Sequence, residues 1–140
     1  MINLTNMNKQ HGRIKEEVAS LENEIKKGIE NMNPSELALH INYLAGQLKV
    51  HLLEEDEFLY PNLIKCGDVE IQNMADEYNN EMGSLVSDYT SFKSQYNTSN
   101  KISADKETFM KEIKRILKAL NDRIAKEDNG LYHLIETKGI

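Results

Sequence analysis

The sequence predicts an all-α protein, an up-down-up-down antiparallel four-helix bundle that forms a single domain over residues 1–140. Apolar residues recur at every third or fourth position along almost the whole chain, which is the period of an amphipathic helix. Turn signals divide this pattern into four segments of roughly 20 to 30 residues, and no segment shows a competing strand pattern. Helices of similar length with short connections favour antiparallel packing of neighbours.

Turn signals separate the first two predicted helices. The first apolar stripe consists of Met7, His11, Ile14, Val18, Leu21 and Ile25. Gly28 is predicted to end this helix, because glycine adopts a left-handed backbone at little cost. The run Asn33-Pro34-Ser35-Glu36 supplies an N-cap, a proline in the first turn and an early acidic residue, so it predicts a helix start. The second stripe follows as Leu37, Ile41, Leu44, Leu48, His51, Glu55 and Leu59, and we expect its helix to end within about a turn of Pro61.

A link through Cys66-Gly67 leads to the third and fourth predicted helices, with Asp68 as a candidate N-cap. The third stripe consists of Ile71, Met74, Tyr78, Met82 (with Glu81 beside it), Leu85, Tyr89 and Phe92. The polar run Asn97-Thr-Ser-Asn100 is predicted to be a loop. We expect the last helix to open at Ser103 and to stop near Gly139. Its stripe consists of Phe109, Ile113, Ile116, Leu120, Arg123, Glu127 and Leu131.

Composition excludes several classes of function. The formal net charge of −6 argues against a nucleic-acid or anionic-membrane partner. The single cysteine, Cys66, excludes an internal disulfide and a cysteine-based zinc site. No apolar run reaches membrane-spanning length, and the polar N-terminus lacks the apolar core of a signal peptide, so we expect a cytoplasmic protein. Catalysis is not indicated, since no nucleophile–base pair or phosphate-binding loop is present.

Four ionisable residues occupy stripe positions at which a bundle core normally takes leucine or isoleucine: His11, His51, Glu55 and Glu127. His51 and Glu55 are four residues apart, so their side chains lie on the same helix face. Burying a carboxylate without a partner is costly, and buried groups of this kind pair or coordinate something. Two imidazoles and two carboxylates suit a first-row transition metal, iron or manganese before zinc.

The segment His51-Leu-Leu-Glu-Glu55-Asp-Glu-Phe-Leu-Tyr-Pro61 resembles the second-helix signature of the hemerythrin-like, or HHE cation-binding, domains. In that family the first helix carries a histidine and the second carries His-x-x-x-Glu. The resemblance extends over roughly residues 7 to 135 and implies His11, His51, Glu55 and Glu127 as ligands of non-haem iron. The motif Glu-Asp-x-x-Leu-Tyr occurs at residues 55–60 and again at 127–132, and this repeat corresponds to the pseudo-twofold symmetry of the family.

The sequence departs from the family pattern in one half of the implied site. Arg123 stands where the fourth helix should carry histidine, and Met74-Ala-Asp-Glu77-Tyr78 stands where the third should. Arginine has no lone pair to give and stays protonated. At about 4 Å from a divalent ion it would be repelled by roughly 8 kcal/mol. We therefore interpret Arg123 as a fixed positive charge in place of a metal ligand, which can bridge Glu127 and Glu55 if it points inward.

Each candidate also has a structural alternative. His51 with Glu55 could form a helix-surface pair, His11 could be exposed in the first helix, and Glu127 could be solvated. Tyr78 could pack in the core or supply a phenolate ligand. Glu81 could supply the missing ligand of the third helix or remain at a solvated edge.

Two functions remain open. The first is a hemerythrin-like protein that binds iron through an incomplete set of ligands, which implies binding or sensing of dioxygen or nitric oxide, or iron handling. The second is a metal-free bundle in which Arg123 replaces the metal charge and which binds a protein or small ligand. We favour the first because four of the six implied ligands are present. A ferritin-like oxidase is excluded, since no histidine has a glutamate three residues before it.

Overall fold

Four helical rods pack side by side in the computed structural model, which describes residues 2–140. The first rod is α1 (Thr5–Ile25), and the second consists of α2 (Pro34–Glu54), a π-helical turn π1 (Glu55–Leu59) and α3 (Tyr60–Lys65). The third rod is α4 (Val69–Tyr96), and a short helix α5 (Ser99–Ala104) leads to the fourth. The fourth rod consists of α6 (Lys106–Lys126), a second π-helical turn π2 (Glu127–Tyr132) and α7 (His133–Lys138). The described residues contain no strand.

Contacts between neighbouring rods show that the rods are antiparallel: residues later in one rod contact residues earlier in the next. His11 of α1 lies against His51 of α2, whereas Glu17, further along α1, bonds to His40, further back along α2. The other three interfaces show the same antiparallel order. The contacts are Tyr89–Ile41 and Gln72–Ile64 between the third and second rods, Arg115–Asp88 and Arg123–Glu81 between the fourth and third, and Asn121–Glu22 and Lys15–Asp128 between the fourth and first. The predicted up-down-up-down antiparallel bundle is therefore confirmed.

Two apolar clusters fill the interior, and a layer of polar side chains separates them. The larger cluster includes Ile14, Leu48 and Ile124, and the smaller one includes Met7, Leu59 and Leu131. On the first, second and fourth rods the candidate site residues lie between the two clusters, and they are buried together with the core. The predicted stripes form this core, except that Met74 and Leu85 are only partly buried. Within residues 2–140, no helix combines the length and the apolar character needed to cross a lipid bilayer.

Three of the rod ends carry the predicted capping or stop residues. Asn33 accepts hydrogen bonds from the backbone N–H groups of Ser35 and Glu36, and Asp68 accepts one from Ile71. Gly139 has a φ of 67° and ends α7 in the left-handed conformation. Each of these residues satisfies a group that the end of a helix leaves unpaired.

The rod ends differ from the expectation at two turns. The helix α1 ends at Ile25, and Gly28, with a φ of 88°, lies within the turn that follows. The last long helix begins at Lys106 and not at Ser103, because the Asp105 side chain caps it by accepting from the backbone N–H of Thr108 at 3.1 Å. Ser103 instead belongs to α5, so the predicted loop is shortened to a brief link before Ser99.

The second rod contains Pro61 and continues to Lys65, within about a turn of the proline. Proline inside an α-helix removes a hydrogen bond and its ring clashes with the carbonyl group four residues earlier. The π turn immediately before Pro61 bonds the Tyr60 N–H to the carbonyl of Glu55, five residues back. This wider turn accommodates the ring, so the proline does not end the rod.

Candidate metal centre

The structure brings the four predicted ligands together in the polar layer between the apolar clusters. His11 and His51 face each other with their Nε2 atoms 3.1 Å apart. Glu55 Oε1 lies 3.0 Å and Glu127 Oε1 3.5 Å from His51 Nε2, and Glu127 Oε2 lies 3.7 Å from His11 Nε2. The side chains of His51, Glu55 and Glu127 are fully buried, and His11 is 2% exposed. None of the four is a surface residue.

The repeated phrase Glu-Asp-x-x-Leu-Tyr forms the two π turns. Glu55 and Glu127 are the first residues of π1 and π2. In an α-helix, two residues five positions apart point in directions that differ by about 140°. In a π turn the hydrogen bond joins residues five positions apart, so their side chains lie on nearly the same side of the helix. Each π turn therefore directs a glutamate and the tyrosine five residues later, Tyr60 or Tyr132, into the interior, where both tyrosines are buried. Sequence reasoning noted the repeat but missed these tyrosines as site residues.

Hydrogen bonds on the far side of each imidazole fix its orientation. His11 Nδ1 lies 2.7 Å from Asp128 Oδ1, and His51 Nδ1 lies 2.8 Å from Gln10 Oε1. Both partners are acceptors, so each Nδ1 carries the proton and donates it. Lys15 donates to the other carboxylate oxygen of Asp128 at 3.0 Å, which holds that acceptor in place. Metal-binding histidines characteristically donate their second ring nitrogen in this way.

This orientation directs the Nε2 atoms of His11 and His51 towards each other at the middle of the cluster. With Nδ1 donating outwards, each Nε2 can bind a metal ion through its lone pair or carry a proton. Glu55 Oε1 has His51 Nε2 beside it at 3.0 Å, whereas Oε2 of Glu55 and Oε2 of Glu127 accept no hydrogen bond from any described residue. A group of this composition is unstable in a buried space unless a proton or a metal cation lies between its members.

Arg123 points inward and is 6% exposed. Its Nη1 donates to Glu81 Oε2 at 3.0 Å and its Nη2 to the Tyr78 carbonyl at 2.6 Å. Its Nε lies 3.7 Å from Glu127 Oε1. The guanidinium thus joins Glu81 to Glu127 and does not contact Glu55. Glu81 is used by Arg123 and Lys126, and it lies outside the group of four.

A family model for the hemerythrin HHE cation-binding domain matches residues 3–135. The chain belongs to that family. No curated protein and no solved structure gives a significant match to it. Family membership makes the chain a metal-binding type of helical bundle, and His11, His51 and Glu127 offer ligand atoms that all lie within 4.8 Å of one another.

Within this hemerythrin-family centre, the balance of burial and neighbouring groups raises the pKa values of His51 and Glu55 and lowers that of Glu127. Burial acts to lower the pKa of His51, but hydrogen bonds and charge from Glu127 and Glu55 raise it to about 9. Burial raises the pKa of Glu55. Burial acts in the same sense on Glu127, but hydrogen bonds with His11 and His51 lower its pKa well below the usual range. The shifts of His51 and Glu55 both favour the protonated form of the side chain.

Tyr78 does not face the group of four. Its ring lies beneath two cations, 4.8 Å from the Arg123 guanidinium carbon and 4.9 Å from Lys126 Nζ. Its hydroxyl donates to the Lys126 carbonyl at 3.2 Å, immediately before π2. The residue therefore packs against the fourth rod and stabilises the cations of the second half-site.

Gly130 lies in π2 where a Cβ would overlap with the Tyr78 hydroxyl. We expect Gly130→Ala to displace Tyr78 and to lower the free energy of unfolding by about 1–3 kcal/mol, as overpacking of a well-packed site does. Chemical denaturation measures the effect. Gly46→Ala is the control, because a Cβ on this exposed helical glycine meets nothing within 4 Å, and it should stabilise by about 0.5–1 kcal/mol. Wild-type stability of Gly130→Ala would contradict this account.

The residues present fit a transition-metal ion. Imidazole nitrogen and carboxylate oxygen are ligands that iron and manganese accept, and Oε2 of Glu55 and Oε2 of Glu127 accept no hydrogen bond within residues 2–140. The histidines that the family pattern led us to expect on the third rod and at position 123 are absent. A donor set for one ion is present, and the donor set for a second is not.

Proposed function

We propose that this protein binds one transition-metal ion, iron first, through His11, His51, Glu55 and Glu127, and that it uses the ion to bind or sense a small ligand such as dioxygen or nitric oxide. The observation that carries the proposal is the convergence of four buried metal-ligating side chains, beside which Arg123 adjoins Glu127 but does not reach Glu55. A metal cation satisfies all four at once.

The second half of the centre supports a single ion. Arg123 and Tyr78 occupy the positions from which the family pattern would supply further histidines. The guanidinium is fixed by Glu81 and the Tyr78 carbonyl, so it cannot move far from Glu127. A second divalent ion on Glu127 would face this fixed positive charge across a few ångströms of buried space, which costs several kcal/mol even at an effective dielectric constant of about 20.

The chain's own residues prepare the site for the ion. Asp128 and Gln10 hold the two imidazoles with Nε2 directed into the centre, and the π turns hold Glu55 and Glu127 inside the bundle. The apolar clusters on either side keep bulk water away. Bound iron would supply redox chemistry and, with four protein ligands, coordination positions open to a small molecule.

The metal-free alternative finds less support in the contacts of Arg123. A guanidinium that replaced the metal charge would have to neutralise both central carboxylates. Arg123 instead gives its hydrogen bonds to Glu81 and to a carbonyl, and it does not reach Glu55, whose Oε1 lies 3.0 Å from His51 Nε2. Arg123 therefore does not neutralise Glu55, and that charge is left to His51 or to a metal ion.

Metal analysis tests the proposal directly. Protein purified after expression with added iron is expected to contain about one iron ion per chain, as one set of four protein ligands allows. It should show ligand-to-metal bands in the ultraviolet–visible spectrum. Removing the ion with a chelator should lower the melting temperature, since a ligand at 100 times its Kd stabilises by about 2.7 kcal/mol. No bound metal, with no effect of chelator on melting, would refute metal binding and favour the metal-free alternative.

A further inference from the structure

Exposed apolar side chains are concentrated on the outer side of the second rod. Among residues 2–140, eight large apolar residues are exposed, and six of them belong to this rod: Leu39, Tyr43, Val50, Leu53, Phe58 and Ile64. The first four lie in α2, and with Gly46 they form a row along the helix that we call the outer stripe. Isolated apolar residues are normal on a protein surface, whereas a contiguous row of them marks an interaction site.

The outer stripe has the spacing of a coiled-coil seam. Its residues, at positions 39, 43, 46, 50 and 53, follow steps of four, three, four and three, which is the a/d pattern of a heptad repeat. At 3.6 residues per turn, these five positions fall within an arc of about 80° around the helix. The opposite side of α2 carries Leu44 and Leu48, which are buried in the larger cluster. The helix is therefore apolar on two sides, and its own bundle covers only one of them.

The residues that flank the outer stripe are complementary to those of a second copy of the chain. In a parallel pair of helices, a residue beside the seam faces the residue five positions later on the other helix. This rule pairs Lys49 of each copy with Glu54 of the other, and Asn42 with Gln47. No acidic residue stands three or four positions from Lys49 within α2, so the lysine has no helical ion pair of that kind in its own chain. The flanks thus select both the partner and its direction.

The charges around the outer stripe disfavour an anionic lipid surface as the partner. Glu36 and Glu57 continue the heptad spacing at either end, and Glu54 and Asp56 flank it. Anionic membranes attract segments rich in lysine and arginine and repel acidic ones. A second copy instead presents an apolar seam to the stripe and a lysine to Glu54.

We propose that two copies of this chain associate through their outer stripes, with the two α2 helices packed in parallel about a twofold axis. This inference goes beyond the proposed function and does not depend on the metal, since none of the stripe residues is a proposed ligand. The seam from Leu39 to Leu53 is about 21 Å long at 1.5 Å per residue. An interface built around so short a seam falls in the smaller, transient class, so the dimer should dissociate in the micromolar range.

Analytical ultracentrifugation over a range of protein concentrations tests the proposal, and it should show a monomer–dimer equilibrium with or without chelator. Leu53→Lys places two like charges against each other at the twofold axis, so it is expected to raise the dimer Kd about tenfold or more. Ile64→Lys is the matched control, because Ile64 lies on the same rod and is 61% exposed, against 54% for Leu53, but stands outside the stripe. It should keep the wild-type Kd. Both variants should keep the wild-type iron content.

A charge exchange tests the parallel direction. Lys49→Glu and Glu54→Lys should each raise the dimer Kd about two- to fivefold, the effect typical of an exposed ion pair. The two substitutions together restore opposite charges across the twofold and should return the Kd to the wild-type value. Failure of the double variant to recover would overturn the parallel arrangement. A wild-type protein that stays monomeric at submillimolar concentration, or equal dimerisation of Leu53→Lys and Ile64→Lys, would refute the dimer and leave metal binding unaffected.

Discussion

Replacing both His51 and Glu55 with leucine should abolish metal binding and leave the metal-free protein at least as stable as the wild type. The two side chains supply half of the proposed ligands and are fully buried. Loss of outer groups that only orient ligands already costs 10- to 100-fold in metal affinity, so loss of two ligands should cost more than about 100-fold. Isothermal titration with iron(II) under anaerobic conditions measures the change.

The stability of the metal-free double variant separates function from folding. Buried ion pairs replaced by apolar residues of similar size often leave stability unchanged or raise it by about 1–4 kcal/mol. Leu48 and Leu59 lie on either side of the pair along the same rod, so leucine extends an existing apolar surface. Chemical denaturation with chelator present should therefore show equal or greater stability. A less stable metal-free variant would mean that the pair holds the fold together.

A matched control pair lies on the same helix. His40 Nε2 is 3.8 Å from Glu36 Oε2, with the same spacing of four residues, but the pair is partly exposed and distant from the centre. His40→Leu with Glu36→Leu should retain wild-type iron affinity. Retention of iron by the His51/Glu55 variant, or an equal loss in the control, would rule out the proposed ligands.

Arg123→His should tighten metal binding by about tenfold or more, which corresponds to about 1.4 kcal/mol. The guanidinium lies close to Glu127, so it repels an ion held there, although Glu81 offsets part of its charge. Histidine removes that fixed charge and adds a nitrogen donor. The measurement is the iron(II) Kd, together with the iron content per chain, which should rise above the wild-type value.

Two further variants separate the parts of this effect. Arg123→Leu removes the charge without adding a donor, so it should bind the first ion more tightly and take up no second one. Arg115→His lies on the same helix at an exposed pair with Asp88, and it should change neither quantity. An unchanged or weaker affinity in both Arg123 variants would overturn the interpretation of Arg123 as a built-in cation.

Much of the fold and part of the candidate site could be read from single residues and their spacing. The stripes through Ile14, Ile41 and Ile113 predicted the buried faces, and Asn33 and Asp68 predicted two helix starts, because burial and capping act through neighbours three or four positions away. His51 and Glu55 were found for the same reason. The start at Ser103 was wrong, because several residues in that stretch can cap a helix and Asp105 is the one that caps α6.

The π turns and their tyrosines could not be predicted from helical periodicity. One extra residue in a turn shifts everything after it around the rod, so Tyr60 and Tyr132 fall off the α-helical stripe that contains Glu55 and Glu127. The repeated phrase and Pro61 were the available signals. Gly130 gave no sign of its role either, because the group that requires a glycine there is the Tyr78 hydroxyl, on a different rod.

The sequence by itself determined that four amphipathic helices would bury two imidazoles, two carboxylates and an arginine at core positions, because residue type and period decide which side chains leave water. Only the tertiary structure decided how these groups face each other. Asp128 and Gln10 orient the imidazoles across rods, and Glu81 binds Arg123, which does not contact Glu55. Hydrogen bonds are directional and short, so partners distant in the chain are known only once the rods are packed.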